Sequence, residues 1–325
     1  MKEAEYYQMR DDGKVLCQLC PVGCVIQAGG TGRCKSRENV EGKLLINNFG
    51  KTVSLNPYDP VEKKPLYHFL PGKRILSIGA NYCNLHCNYC QNYQISQMKA
   101  AVQNITKEGL VHLLKKYDLE AVAFTYTEPV IWYEFVKSTS RYLFENGYKS
   151  VMVTNGYINP EPLKTLLPYL TAMNIDLKSM RDEFYIRNCA GRLQPVLDTI
   201  KHAAGKCHLE ITNLLITAEN DSDEDINDLI DFIASVDSRI PLHFSRYYPC
   251  YKLSQPATDI RRLYYAYEQA KKKLSHVYLG NIPFDNVMYC ENCHESLGRR
   301  GYDIPFELKE GKCPKCGHRN YGIWE

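Results

Sequence analysis

The sequence predicts an α/β protein: a partial (β/α)6 barrel, open on one side, with an N-terminal cysteine-rich extension and a C-terminal zinc-ribbon-like module. Three observations lead there. Between residues 75 and 279, short apolar runs alternate with helix-like stretches, the pattern of a parallel sheet covered by helices. Eleven of the 14 cysteines fall into three tight clusters, one before this region, one inside it and one after it. Polar side chains recur at the ends of successive runs, where such a sheet carries its chemistry. The expected organisation is a cysteine knuckle and extended arm over 1–72, the barrel over 73–283 and the ribbon-like module over 284–325.

At 325 residues and 44% hydrophobic, the chain can bury a large core, which excludes a disordered protein. The formal charge of +3 is spread along the chain and selects no acidic partner. The start, MKEAEYYQMRDDGK, is charged and has no apolar signal core. No apolar run approaches the ~20 residues of a membrane span. A soluble, cytoplasmic protein with no membrane partner is expected. Disulfides rarely persist in that compartment, so cysteines clustered at ligand spacing point to metal.

In chain order, residues 1–16 form a polar lead-in. Cys17, Cys20 and Cys24 follow in C-x2-C-x3-C spacing, and the turns at Gly29, Gly30 and Gly32 return Cys34 to them. Four cysteines this close can hold Zn²⁺ or ligate a second iron–sulfur cluster, and ligand softness alone leaves both open. Arg33, Arg37 and Asn39 read as turn and surface residues around the knuckle. From 43 to 72 the chain is proline-punctuated, with Pro57, Pro60, Pro65 and Pro71 excluding helix interior and central strand. Leu66, Tyr67, Phe69 and Leu70 suit an extended arm lying across the barrel, and His68 reads as structural.

The first barrel strand, 75–79, runs into the stretch on which the chain is organised: Asn-Tyr-Cys-Asn-Leu-His-Cys-Asn-Tyr-Cys-Gln over 81–91. Cys83, Cys87 and Cys90 stand in C-x3-C-x2-C spacing. Thiolates are the usual ligands of a [4Fe–4S] cluster, and three of them leave one iron open to a small molecule. Radical S-adenosylmethionine (SAM) enzymes use that arrangement, chelating the amino and carboxylate groups of SAM at the open iron. Tyr89 fits the aromatic position near the adenine. A zinc site completed by a distant ligand, or plain buried thiols, are the competing readings.

Further strands are predicted at 121–125, 150–154, 173–176, 208–215, 242–246 and 277–279, with helices at 106–117, 130–146, 161–169, 193–204, 222–234 and 258–274. Thr106, Ser222 and Thr258 are candidate N-caps; Gly109 denies Thr106 a capping box. Strand ends supply a polar set suited to a nucleotide-like cofactor. Glu128 can accept from the SAM ammonium, Asn155 and Lys178 can reach its carboxylate, and Asp176 and His243 suit hydroxyl contacts. Thr212, Asn213, Glu210, Ser245 and Arg246 belong to the same strands.

The tail carries Cys290-x2-Cys293 and Cys313-x2-Cys316, two knuckles of a zinc ribbon, with zinc favoured over iron. His294 and His318 are less suited as ligands. The tail lacks a dense basic patch with interleaved aromatics, so nucleic acid is not expected as a partner. A structural module covering the barrel is the expectation.

Taken together the chain resembles the radical SAM enzyme of the AmmeMemoRadiSam system, a relative of pyruvate formate-lyase activating enzymes. The matching stretches are CQLCPVGC with GRCKSREN, DPVEKKPLYHFLPG, CNLHCNYCQNYQIS, FTYTEP, TNGY, NIDLKS, HFSRYYP, and VYLGN followed by the double C-x2-C and GIW. They run from about Cys17 to Trp324. The resemblance implies a [4Fe–4S] cluster on Cys83, Cys87 and Cys90 and SAM contacts around Tyr89, Glu128, Asn155, Asp176, Lys178 and His243. It also makes MEMO-like and AMMECR1-like proteins plausible functional partners. One departure is LLITAEND, where relatives usually carry Pro-Gly in the turn.

The function expected first is reductive cleavage of SAM to a 5′-deoxyadenosyl radical that takes hydrogen from a protein, peptide or small molecule, with an external electron donor. An activating enzyme for a glycyl-radical partner is one form of it. A non-catalytic metal-binding adaptor is the alternative from another class. A third is an electron-transfer protein whose cluster recruits a fourth ligand such as Cys189. Cys189, Cys207 and Cys250 otherwise read as buried thiols.

Overall fold

The structure, a computed structural model, describes residues 1–300 and 308–325. At its centre is one eight-stranded sheet. Its strands are β1 (Ser54–Pro60), β2 (Arg74–Gly79), β3 (Ala121–Phe124), β4 (Lys149–Thr154), β5 (Ala172–Asp176), β6 (His208–Leu215), β7 (Leu242–Arg246) and β8 (Val277–Gly280). They pair in that order, β2 to β8 parallel and β1 antiparallel at one edge, and β1 does not pair with β8. The barrel is open, as expected.

Six helices cross between the parallel strands: α1 (Lys107–Tyr117), α2 (Tyr133–Glu145), α3 (Pro160–Leu166), α4 (Gln194–Ala203), α5 (Asp223–Asp237) and α6 (Ile260–Lys271). Their apolar faces pack on the sheet through residues such as Leu110, Leu114, Val136, Ile200, Ile230 and Leu263, all buried. Each such side chain contributes about 1.5–3 kcal/mol by leaving water. Thr106 and Ser222 cap α1 and α5 as expected, accepting from Gly109 N and Asp225 N. Thr258 does not cap α6. Asp259 does, and the Thr258 hydroxyl is buried instead, donating to Leu215 O and accepting from Tyr247 N. The stretch expected as helix from 130 opens as a 3-10 turn, Pro129–Trp132, before α2 begins.

The proline-rich arm corrects the organisation drawn from the sequence. Its first part is strand β1, so the barrel sheet begins before residue 73. Proline confines β1 to the edge, and its register slips between Asn56 and Asp59. The second part plugs the barrel at the starts of the strands, where Val61, Leu66, Phe69 and Leu70 pack on Ile75, Ala121, Ala123, Val151 and Ala172. His68 is structural, with Nε2 on Tyr278 Oη at 2.6 Å and Nδ1 on Tyr321 O at 2.8 Å.

The N-terminal extension forms two three-stranded antiparallel sheets. The C-terminal module has a hairpin, Asn286–Tyr289 with Ser296–Arg300, followed by residues 301–307 of the expected ribbon, which lie outside the described residues. Its end docks under the barrel: Ile323 N donates to His68 O at 2.8 Å and Leu70 N to Ile323 O at 2.7 Å. Among the described residues no helix is long and apolar enough to cross a membrane.

Candidate cluster and cofactor site

β2 delivers the cysteine loop to the end of the sheet opposite the plug. Gly79 is needed there, because a Cβ would stand 2.6 Å from the carbonyl of Thr125 on the neighbouring connection. The loop is tied down by its own backbone, Tyr82 N to Ile95 O at 2.8 Å. It is tied across to a neighbouring turn by His86 N to Cys189 O and Asn88 N to Asn188 O, both at 2.9 Å.

Cys83, Cys87 and Cys90 line one wall of a cavity of about 570 Å³, the size range of small-molecule sites. Cys83 Sγ accepts from Leu85 N at 3.4 Å and from Asn155 Nδ2 at 3.5 Å, and Cys90 Sγ lies 3.1 Å from Ser96 Oγ. N–H groups aimed at sulfur are the contacts that stabilise ligated thiolates. Tyr89, Glu128, Asn155, Asp176 and Lys178 line the same cavity. The residues present therefore fit a three-thiolate cluster with a polar small molecule beside it.

Their local roles differ. Glu128 is 1% exposed; its Oε1 accepts from Val130 N at 2.9 Å and Thr154 Oγ1 at 2.7 Å, its Oε2 from Asn155 N at 2.8 Å. Burial pushes its carboxyl up to about 7 against those hydrogen bonds. Oε2 retains capacity for a further donor such as an ammonium. Asn155 bridges the walls, donating to Asn84 Oδ1 at 2.9 Å and accepting from Tyr157 N. Lys178 Nζ meets Asp176 Oδ2 at 3.0 Å. Burial opposes the charge on Lys178, yet Asp176 and the nearby thiols hold its pKa well above the usual lysine value.

His243 is not among the residues lining the cavity. Its Nε2 donates to Glu210 Oε2 at 2.6 Å inside the barrel, so the expected cofactor contact is replaced by a structural one. The reason is depth: Ser245, on the same face of β7 but two residues nearer the strand end, reaches the cavity instead. Thr212 does the same on β6.

The arm supplies a wall that sequence reading missed. Asn56, Asp59, Lys63 and Lys64 line the cavity, with Lys64 Nζ 2.5 Å from Asp59 Oδ2 and Tyr126 Oη donating to the same oxygen at 2.6 Å. Charged residues packed among the prolines of DPVEKKP were the available signal. Cys189 is fully buried behind the loop, its Sγ 3.3 Å from Tyr89 Oη and sharing a hydrogen bond with Cys87, but it does not line the cavity.

The outer cysteines behave differently from one another. In the tail, Cys290 Sγ is 3.7 Å from Cys316 Sγ and Cys293 Sγ 3.6 Å from Cys313 Sγ, with all four sulfurs within 4.8 Å. A tetrahedral ion with metal–sulfur bonds of about 2.3 Å sets its sulfurs about 3.8 Å apart, so this module fits a single metal ion. Cys17, Cys20, Cys24 and Cys34 line a separate small cavity and form no such group among the described residues.

A family model described as Radical SAM superfamily matches residues 77–233, from β2 into α5. An uncharacterized protein of Methanocaldococcus jannaschii is 40% identical over 333 residues, covering 98% of each chain. A GTP 3′,8-cyclase of Listeria monocytogenes is 27% identical over 175 residues, 51% of each chain. Among solved structures, a radical SAM methyltransferase from Sphaerobacter thermophilus shares the fold with a TM-score of 0.53 at 14% identity, over 64% of this chain and 66% of that one.

Proposed function

Since residues 77–233 match the radical SAM superfamily, we propose that the chain cleaves SAM reductively on a [4Fe–4S] cluster held by Cys83, Cys87 and Cys90, and that the resulting 5′-deoxyadenosyl radical takes a hydrogen atom from a substrate. The observation that carries this reading is the cavity wall: three thiols face it, and the nearest further thiol, Cys189, does not. Bound there, the cluster supplies the electron that splits SAM into methionine and a 5′-deoxyadenosyl radical.

The protein's own part is positioning. Asn155 and Leu85 N–H groups stabilise the Cys83 thiolate. Glu128 orients an ammonium, while Lys178, paired with Asp176, offers a fixed cation to a carboxylate. Tyr89, held by Cys189, presents a ring for adenine. Thr212 and Ser245 present hydroxyls from strands β6 and β7. Walls on the arm and strand ends limit water around a radical, which prevents side reactions.

We further assign the chain, on its ordered motifs, to the AmmeMemoRadiSam type, with MEMO-like and AMMECR1-like proteins as candidate partners. The hydrogen donor is a protein, peptide or small molecule, and an activating-enzyme role is one form of the proposal.

The test is 5′-deoxyadenosine formation by anaerobically reconstituted protein with SAM and a strong reductant, beside Cys83→Ala. Product from the native protein and none from the variant is expected. If the native protein holds an intact four-iron cluster on Cys83, Cys87 and Cys90 and SAM changes no cluster spectrum, the reading fails.

A further inference from the structure

Cys17, Cys20, Cys24 and Cys34 are brought together by short-range structure. Cys17 ends the strand Val15–Cys17, and its N–H bonds to Cys24 O at 2.9 Å, closing the knuckle. Gly23 N to Cys20 O completes that turn, and Lys35 N to Gly32 O at 2.8 Å folds the chain back at Cys34. The four thiols then line one small cavity.

The spacing of these sulfurs does not suit a single ion. In the tail, four sulfurs lie within 4.8 Å of one another, as tetrahedral zinc requires; among the described residues no three of the N-terminal sulfurs do. To reach four thiolates that surround a cavity rather than a point, the bound group must be larger than one metal ion. A four-iron cube takes one thiolate at each of its four corners.

A second observation is independent of the cysteines. Arg37 lines this cavity and is 1% exposed. Its Nη1 donates to Glu5 O at 2.9 Å and its Nη2 to Glu134 Oε1 at 2.6 Å, but its buried Nε has no partner. A buried charged group with an unmade hydrogen bond is destabilising, because its lost water contact is not replaced. An anionic cluster with sulfur acceptors would satisfy it. Cys24 Sγ already accepts from Arg33 N at 3.4 Å, a second N–H aimed at the same group.

We propose that Cys17, Cys20, Cys24 and Cys34 hold a second [4Fe–4S] cluster, fully ligated by cysteine, with Arg37 Nε donating to it. With no open iron, this cluster does not bind SAM. The two sites adjoin, since Asn84, within the central loop and next to Cys83, also lines the N-terminal cavity. The inference does not rest on the reading of the central site.

The full-length protein is reconstituted anaerobically with iron and sulfide, and iron, sulfide and zinc are counted per chain alongside Mössbauer and EPR spectra. About eight irons are expected in the native protein, with about one zinc at the tail. The variant Cys83→Ala/Cys87→Ala/Cys90→Ala is expected to keep about four irons and a reduced-cluster EPR signal that SAM leaves unchanged. The variant Cys20→Ala/Cys34→Ala loses about four irons and keeps the SAM-sensitive signal. If the first variant holds no iron and about two zinc ions, the proposal is overturned. Should the second variant fail to fold, the first still decides, because it leaves the N-terminal site intact. Loss of SAM sensitivity in the native protein with about eight irons present would sink the central reading and leave this one standing.

Discussion

Glu210 and His243 are bonded inside the barrel, Oε2 to Nε2 at 2.6 Å, with the carboxylate fully buried. The same carboxylate accepts from Tyr67 N at 3.0 Å, His68 N at 2.7 Å and His208 Nε2 at 2.9 Å. It therefore ties the plug formed by the arm to strands β6 and β7. Burial pushes this carboxyl up, but the hydrogen bonds and charge of His208 and His243 carry it well below the ordinary glutamate value. A depressed carboxyl stabilises the fold above its unfolded value of about 4.3, and that stability is lost as pH falls toward the folded value. Glu210→Gln is expected to lose about 2–3 kcal/mol at neutral pH. In urea titrations the gap between native protein and variant should stay constant above about pH 5 and close at lower pH. A pH-independent gap throughout would show that the carboxylate charge is not the cause.

Cys189 is the thiol best placed to complete a four-cysteine cluster, since it contacts Cys87, yet it faces away from the cavity. Cys189→Ser should retain the central cluster and its spectral response to SAM. Loss of cluster iron from this variant alone would instead make Cys189 a ligand and support the electron-transfer reading.

Asp59 and Lys64 form an ion pair on the cavity wall with side chains 8% and 3% exposed. Lys64→Met leaves a buried carboxylate whose neutral donors are Asn56 and Tyr126, and should cost about 3 kcal/mol in chemical denaturation. Asp59→Asn with Lys64→Met removes both charges and should recover much of that loss. Additive losses in the double variant would mean the pair does not act as one unit.

Gly79→Ala forces a methyl against the Thr125 carbonyl at the base of the cysteine loop. Displacing that backbone should cost about 1–3 kcal/mol, with the central cluster bound less tightly. Unchanged melting temperature and iron content would show that the β2 to β3 spacing is more compliant than the packing implies.

The parallel strands are legible in the sequence because each is a short apolar or alternating segment bounded by helix and turn signals, and 208–215 and 242–246 have the same limits in sequence and structure. The central cysteine loop is legible for a related reason: its ligand spacing is local, and no distant contact is needed to recognise it. The edge strand 54–60 is not legible, because its pairing with β2 is antiparallel, bulged and interrupted by proline. Thr258 failed as a cap for a similar reason, since its hydroxyl is taken by Leu215 O and Tyr247 N from other elements.

Sequence alone determined the element order, the three cysteine sets and most of the polar residues at the strand ends, because periodicity and ligand spacing act over a few neighbouring residues. Depth and facing came only from the folded chain. They turned His243 toward Glu210, set Cys189 behind the loop and brought Asp59 and Lys64 to the cavity wall. They also spread the N-terminal sulfurs around a cavity while gathering those of the tail to a point. Those outcomes depend on contacts between residues far apart in the chain, and such contacts leave no pattern in any one stretch of it.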